Sequence, residues 1–323
     1  MELVTKKRLQ LYSGRSHPEL AEKIADHLGV ALGEPNLRTF PDGEIRCQFG
    51  ESVRGSDVFI IQTHADPINE SIMEQLIMID AASRGSAKRI TAVCPYYGYA
   101  RQDRKAEGRQ PITAKLLANM LVEAGANRMV SVDLHSGQIQ GFFDKPVDHL
   151  VAMPVLLDYL RQHGGSDLVM VSPDAGRAKV AEAYAQHLGA EMGFVYKTRP
   201  KGTIAMVEAK EVMGDVAGRL CVIVDDMIGT GSTICAAADL LKARGAAEVW
   251  AVATHGVLSG PAIDNIKNSA FERVVITDTL PLPPEKQIDK IEVLSVADII
   301  ADAIDAVFED TSVSEIFGGE NYS

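Results

Sequence analysis

Runs such as Leu220–Val224 (LCVIV), apolar at every position, constrain what this chain can fold into more than any other feature. A strand with one wet face alternates apolar and polar residues. An unbroken apolar run suits a parallel strand with helices above and below it. The pattern recurs: Val58–Gln62, Arg89–Cys94, Met129–Val132, Leu168–Val171, Val249–Thr254 and Val274–Thr277 all read as strands. Between them, Asn69–Arg84, Thr113–Ala124, Gly176–His187 and Ser232–Arg244 read as helices, the first with Ile72, Leu76 and Ile79 on one face. Such strand–helix alternation predicts doubly wound, parallel α/β sheets. Roughly ten strands suit two sheets better than one, so two domains are expected. The division falls at Asp148–Pro154, giving residues 1–149 and 150–323, with the C-terminal tail able to pack back on the first.

The 323 residues are 46% apolar and 24% charged, the balance of a soluble globular protein. A formal net charge of −12 makes nucleic acid a poor partner. Anionic ligands would have to be held by backbone N–H groups and divalent cations rather than by a broad basic face. Cys47, Cys94, Cys221 and Cys235 are far apart and form no CxxC pair, which argues against a disulfide framework or a zinc site. No stretch is apolar and long enough to cross a bilayer, and the opening MELVTKKRLQLYSG carries no long apolar segment. A cytoplasmic protein without membrane contact is expected.

In open α/β sheets, ligands bind beyond the carboxyl ends of the strands, so the residues just after each strand are the informative ones. Leu220–Val224 runs into Asp225 and Asp226, then through Gly229, Thr230 and Gly231 to a helix that begins near Ser232. Gly229 and Gly231 let the backbone curl, and the small side chains let a ligand approach. Successive N–H groups, the hydroxyls of Thr230, Ser232 and Thr233, and the helix N-terminus together form a phosphate cradle. The carboxylates of Asp225 and Asp226 cannot bind that phosphate. They suit ribose hydroxyls, or a metal ion bridging to a sugar. The plain structural alternative is a Ser/Thr-capped joint with two solvated acids; two acids plus G-T-G-S-T weigh against it. The segment resembles the ribose-phosphate loop shared by phosphoribosyltransferases and phosphoribosyl diphosphate synthetases. It departs from their usual form at Gly229, where the synthetases commonly carry aspartate, and at Ser232, where glycine is usual.

After Met129–Val132 come Asp133 and His135, two apart, whose side chains would share a face if the segment were extended. Both are competent ligands, although oxygen suits Mg2+ better than nitrogen does. A lone D-x-H pair is a weak signal. The whole string from Asp133 to Asp148, DLHSGQIQGFFDKPVD, is similar nearly residue for residue to the signature of the ribose-phosphate pyrophosphokinase family. With it, the chain from about Lys7 to Phe317 falls into register.

The resemblance implies two phosphoribosyltransferase-like domains, the first binding ATP and the second ribose phosphate. It implies a transferase that moves the β,γ-diphosphate of Mg-ATP to O1 of ribose 5-phosphate, giving phosphoribosyl diphosphate and AMP for nucleotide biosynthesis. ATP contacts map onto Phe40, Asp42, Gly43 and Glu44 (in RTFPDGE) and onto Arg101, Gln102 and Asp103 (in YARQDRK). Mg2+ maps near His135 and Asp174, and the catalytic cations onto Lys197 and Arg199. A lysine and an arginine there would stabilise the charge that gathers on the transferring group. Ribose 5-phosphate maps onto Asp225, Asp226 and Gly229–Thr233. The family also implies a homo-oligomer, a hexamer built from dimers.

Plainer readings compete. Phe40 could be core, but Pro41-Asp42-Gly43 beside it reads as a turn that exposes it. Arg101, Arg104 and Lys105, read alone, are a solvated face. Arg177 stands where the family's P-D-x-G-G pattern has its second glycine, and would either add a cation for diphosphate or crowd the loop. Ser52, Arg54, Ser312 and Ser314 resemble positions that bind phosphate as activator and ADP as inhibitor; a polar surface tail is the alternative. A phosphoribosyltransferase would share Asp225–Thr233 but has no need of Asp133–Asp148. A non-catalytic regulatory relative would be expected to have lost Lys197, Arg199, His135 and Asp174.

Overall fold

The structure, a computed structural model, describes residues 7–198 and 208–317. These form two units, each built on its own sheet. The first takes the chain through Leu150, with Thr279–Pro281 and the segment from Val296. The second takes Val151–Asp278 and Leu282–Ser295.

The first unit begins with β1 (Leu9–Ser13), α1 (Pro18–Leu28) and the short strand β2 (Leu32–Gly33). A hairpin of β3 (Arg38–Thr39) and β4 (Ile45–Arg46) comes next. Then come β5 (Asp57–Ile61), α2 (Ile68–Arg84), β6 (Arg89–Cys94), α3 (Thr113–Ala124), β7 (Arg128–Val132) and β8 (Val147–Leu150). The sheet order is β2-β1-β5-β6-β7-β8, and every pairing in it is parallel. All five residues of β5 are buried, as an unbroken apolar run demands. Ile60, Met78, Ile79, Leu121 and Met129 close the core between this sheet and the helices α2 and α3. Each such side chain stabilises the unit by about 1.5–3 kcal/mol through the water it sheds.

The second unit runs through α4 (Met153–His163), β9 (Leu168–Ser172), α5 (Ala178–Leu188), β10 (Glu191–Thr198) and β11 (Glu208–Met213). It continues with β12 (Leu220–Met227), α6 (Ser232–Ala243), β13 (Glu248–His255), α7 (Ala262–Asn268), β14 (Arg273–Thr277) and β15 (Ile291–Leu294). The order is β11-β10-β9-β12-β13-β14-β15, parallel except for the antiparallel edge strand β11. The chain first builds leftward from β9 and then restarts rightward at β12. That reversal is a topological switch point, where the loops diverge and leave a crevice. The first sheet reverses likewise between β1 and β5.

The last helix, α8 (Ala297–Glu309), belongs to the first unit, where it packs on α1 and β8. Its apolar face, with Ile300, Ala303 and Ile304 buried, holds it there, and surface ion pairs flank the contact. Lys7 Nζ and Arg89 Nη1 donate to opposite oxygens of Asp310 at 2.6 and 2.5 Å, and His27 contacts Asp298 and Asp302 at 3.0 Å each. The hydrogen bond from Lys7, then that from Arg89, holds the Asp310 carboxyl down at about 2. No helix among the described residues is long and apolar enough to cross a membrane.

The anticipated strands and helices appear with small shifts at their ends. The largest is at β12, which runs on to Met227, so Asp225 and Asp226 are the end of its ladder rather than the loop's first residues. Asp225 pairs with Ala253 and Met227 with His255.

Candidate active site

Each motif lies at the carboxyl end of a strand or on the β3–β4 hairpin, and the two units contribute separate sets.

In the first unit the hairpin tip is a turn held by Phe40 N to Glu44 O (2.8 Å), Gly43 N to Phe40 O (2.9 Å) and Glu44 N to Asp42 Oδ1 (3.1 Å). Gly43 has a φ of 93°, a backbone state that glycine enters without strain. Phe40 is 47% exposed, so it is no core residue: the turn points its aromatic face outward. Asp42 and Glu44 are exposed beside it.

The segment holding Arg101, Gln102 and Asp103 leaves β6 through a turn in which Tyr99 has a φ of 59°. That turn is pinned from below by His64, a residue that no sequence motif marks. Gly98 N donates to His64 Nδ1 at 2.8 Å, so the ring proton is on Nε2, 2.9 Å from Gln75 Oε1. Burial drives the His64 pKa down to about 4, so the ring is neutral. Gln102 anchors the start of α3: its side-chain oxygen accepts from Thr113 Oγ1 (2.6 Å) and its carbonyl from Ala114 N (3.2 Å). Arg101 is exposed and Asp103 half-buried.

After β7, Asp133 has a φ of 38° and turns the backbone. The segment is therefore not extended, and the alternation that would put Asp133 and His135 on one face does not apply. Asp133 N donates to Leu150 O (2.8 Å) and Leu134 N to His149 Nε2 (2.9 Å), while Ile139 and Phe143 plug the loop into the core. His135 is half-buried on this scaffold.

In the second unit, two loops meet at the switch point between β9 and β12. Asp174 Oδ1 accepts from Gly176 N (3.0 Å), and Ser172 Oγ donates to Asp174 O (2.7 Å), fixing the turn that enters α5. Arg177, at its end, reaches across to β12. Its Nε lies 3.1 Å from Asp225 Oδ1, and its Nη2 contacts Asp226 Oδ1. Arg177 thus forms an ion pair within the chain rather than crowding the loop. Burial, then the neighbouring Asp226 charge, pushes the Asp225 carboxyl well above the usual range, and Arg177 offsets only part of that.

Beyond the acids, the loop hangs on backbone bonds from Ile228 N to His255 O and from Ser259 N to Gly229 O. Asn265 on α7 donates to Thr230 O at 2.8 Å, a brace no motif announced. Gly231 has a φ of 72° and begins α6, and no side chain caps that helix. Thr230 Oγ1 and Ser232 Oγ are 3.1 Å apart. The first-turn N–H groups of a helix have no intrahelical acceptor, so an uncapped start with two hydroxyls beside it suits an anion.

The Lys197 backbone lies in β10, next to a ladder irregularity at Tyr196/Lys197, but its side chain and the whole of Arg199 lie outside the described residues. Among the described residues, no three His, Cys, Asp or Glu side chains gather as a ready metal cage. Asp174 nonetheless fits Mg2+: it offers hard oxygen, and this ion usually takes one or two carboxylates and completes its shell with water and phosphate oxygens. The His135 nitrogen is the poorer donor of the two.

Residues 9–125 match the N-terminal domain of ribose phosphate pyrophosphokinase, and residues 195–318 match the phosphoribosyl synthetase-associated domain. A ribose-phosphate pyrophosphokinase of Streptomyces avermitilis is 55% identical over 312 residues, covering 96% of both chains. That of Bifidobacterium longum is 54% identical, covering 96% of this chain and 93% of its own. The crystal structure of phosphoribosylpyrophosphate synthetase from Mycobacterium smegmatis superposes with a TM-score of 0.89 at 50% identity, over 94% of this chain and all of that one.

Proposed function

The chain belongs to the ribose-phosphate pyrophosphokinase family, and we propose on that premise that it transfers the β,γ-diphosphate of Mg-ATP to O1 of ribose 5-phosphate, releasing AMP. The observation that carries the reading to this chain's own residues is local: two largely buried acids at the end of β12 run directly into an uncapped helix start at Gly231. A sugar that carries both hydroxyls and a phosphate satisfies that combination, and neither group alone does.

In this reading Asp225 and Asp226 accept hydrogen bonds from ribose hydroxyls, while the Gly229–Thr233 segment holds the 5-phosphate. Phe40 stacks on adenine; Asp42, Gly43 and Glu44 line the nucleotide's place on the hairpin. Arg101, Gln102 and Asp103 face the rest of ATP from their turn, with Gln102 working from a fixed anchor on α3. O1 attacks the β-phosphorus in line, the bond to the α-phosphate oxygen breaks, and AMP carries that oxygen away. Little covalent work falls to the protein, and positioning with charge neutralisation does most of it. Lys197 and Arg199 supply cations to the transferring group. His135 in the first unit and Asp174 in the second would each hold a Mg2+ ion, which would neutralise phosphate charge.

The first domain (residues 1–149) takes ATP and the second (150–323) takes ribose phosphate, in a cytoplasmic enzyme without nucleic-acid or membrane partners. The family resemblance adds a homohexamer built from dimers; exposed Leu116 on α3 and Met73 on α2 are apolar side chains that a second copy would cover. Phosphate and ADP are its candidate effectors. Ser52 Oγ accepts from Arg54 N at 3.4 Å, and Ser312 Oγ lies 2.7 Å from Ser314 Oγ.

The test is ATP labelled at the β-phosphorus, incubated with ribose 5-phosphate and Mg2+. Label in a sugar diphosphate, with AMP formed mole for mole, supports the reading, and Lys197→Ala should then abolish most of the transfer. Intact ATP across phosphate and metal conditions overturns it in favour of a regulatory relative.

A further inference from the structure

Arg177 spans both acids of β12, and the role inferred for it here rests on the diphosphokinase reading and deepens its ribose half. The three side chains are largely withdrawn from water: Arg177 is 17% exposed, Asp225 19% and Asp226 9%. An ion pair at the surface is worth little, whereas one withdrawn from water fixes the relative placement of its members. The guanidinium is planar, with its donors at set separations, so one Arg touching two carboxylates through Nε and Nη2 dictates the distance and tilt between them.

The arginine is itself well held. Arg177 N donates to Asp174 O at 3.2 Å, at the end of the turn that Asp174 stabilises. Strands β9 and β12 are direct neighbours, with Leu220 to Ile223 in register with Leu168 to Val171. The loop bearing the cation and the strand bearing the acids therefore ride on one ladder. Asp226 N also donates to Asp225 Oδ1 at 2.9 Å, which restricts the Asp225 carboxylate further.

We propose that Arg177 is a positioning residue for the ribose half of the site, holding Asp225 and Asp226 as one oriented acceptor pair for the hydroxyls of ribose 5-phosphate. A carboxylate accepts several hydrogen bonds, so the contact to Arg177 does not use up the pair. Without the cation, two adjacent anions in a half-dry place repel each other, and their side chains turn toward water. With it, both are presented to the sugar before the sugar arrives, and less ordering remains for binding to supply.

The experiment uses the full-length protein and the variants Arg177→Gln and Arg177→Lys. Steady-state rates are measured against ribose 5-phosphate at saturating Mg-ATP and against ATP at saturating ribose 5-phosphate. Calorimetric titration of ribose 5-phosphate in the absence of metal gives a second readout. In R177Q the KM and the calorimetric Kd for ribose 5-phosphate rise about tenfold or more, while the KM for ATP stays within about twofold. R177K recovers part of the loss, because the charge returns without the fork. Unchanged ribose 5-phosphate constants in R177Q overturn the proposal, as does a parallel rise in both KM values. Should R177Q not fold, R177K alone must show a selective rise in the ribose 5-phosphate constants, and wild-type constants in it overturn the proposal. A wild-type protein that makes no phosphoribosyl diphosphate sinks the diphosphokinase reading beneath it. A working wild type with an unaffected R177Q sinks only the role given to Arg177.

Discussion

The two sheets reverse direction in the same way, yet their switch points are finished differently. Between β1 and β5 a cavity of about 260 Å³ is lined by Arg15, Ser16, Gln62, Glu70 and Glu74, among others. Glu74, with its side chain 4% exposed, accepts from Arg15 N (2.7 Å), Arg15 Nε (2.5 Å) and Gln62 Nε2 (3.0 Å). Ser16 satisfies the Gln62 oxygen in turn. Between β9 and β12, by contrast, two acids share one guanidinium. In the first crevice the buried Glu74 carboxylate is satisfied by groups of the crevice itself. In the other, burial and the Asp226 charge keep the Asp225 carboxyl raised despite Arg177, the kind of perturbation that marks candidate sites at switch points.

That contrast can be broken by experiment. The largest difference is expected between Asp225→Asn and Glu74→Ala. D225N should lose roughly 10- to 100-fold in kcat/KM for ribose 5-phosphate, because a hydrogen bond to a charged acceptor is worth about 1.5–3 kcal/mol. E74A should instead lower unfolding free energy by about 1–3 kcal/mol, read by urea denaturation, and leave the folded enzyme's kcat/KM nearly intact. The reverse outcome would mean that the closed crevice is the working one.

Next comes the pH response of stability. The buried Asp225 carboxyl has a raised pKa, so the proton favours the folded state. Its contribution is fully present below the unfolded value near 3.9 and is lost as pH rises through the raised one. D225N removes that penalty, and its melting temperature should exceed the wild type's at pH 8 by a few degrees, with the gain fading toward pH 4.5. The sign is opposite for His64. Its depressed pKa contributes stability above about 6.5 that is lost as pH falls toward about 4. Thermal melts of H64Q should therefore depend less on pH across that window than those of the wild type.

The smallest effect concerns Gly231. A Cβ there meets nothing nearer than Cys235 Sγ at 3.6 Å, so Gly231→Ala pays only for its φ of 72°, about 1–2 kcal/mol. Ribose 5-phosphate binding should weaken with it; a variant that binds normally would show that the helix start tolerates a shifted backbone.

Much of this was legible in the sequence because both sheets announce themselves. The strands β5, β9 and β12 carry the buried apolar runs, and the acids and glycines stand where those runs stop. Distance was not legible. Arg177 could be seen as a departure from a glycine, but its partners lie 48 and 49 residues on and are brought near only because β9 and β12 are neighbours. His64 and Asn265 escaped for the same reason: each acts through one backbone bond to a distant loop, at Gly98 and at Thr230. Asp133 misled for another reason, since a left-handed residue in a loop leaves no periodicity to read.

The return of α8 to the first unit bears on how the chain is made. Its salt bridges join Lys7 and Arg89 to Asp310, and His27 to Asp298 and Asp302. The α1 face that this helix covers waits for more than a hundred further residues to leave the ribosome, because the second unit is spliced into the first. The usual benefit of vectorial synthesis, an amino-terminal domain finished early, is withheld, and the nascent chain must carry exposed apolar surface until its last helix arrives.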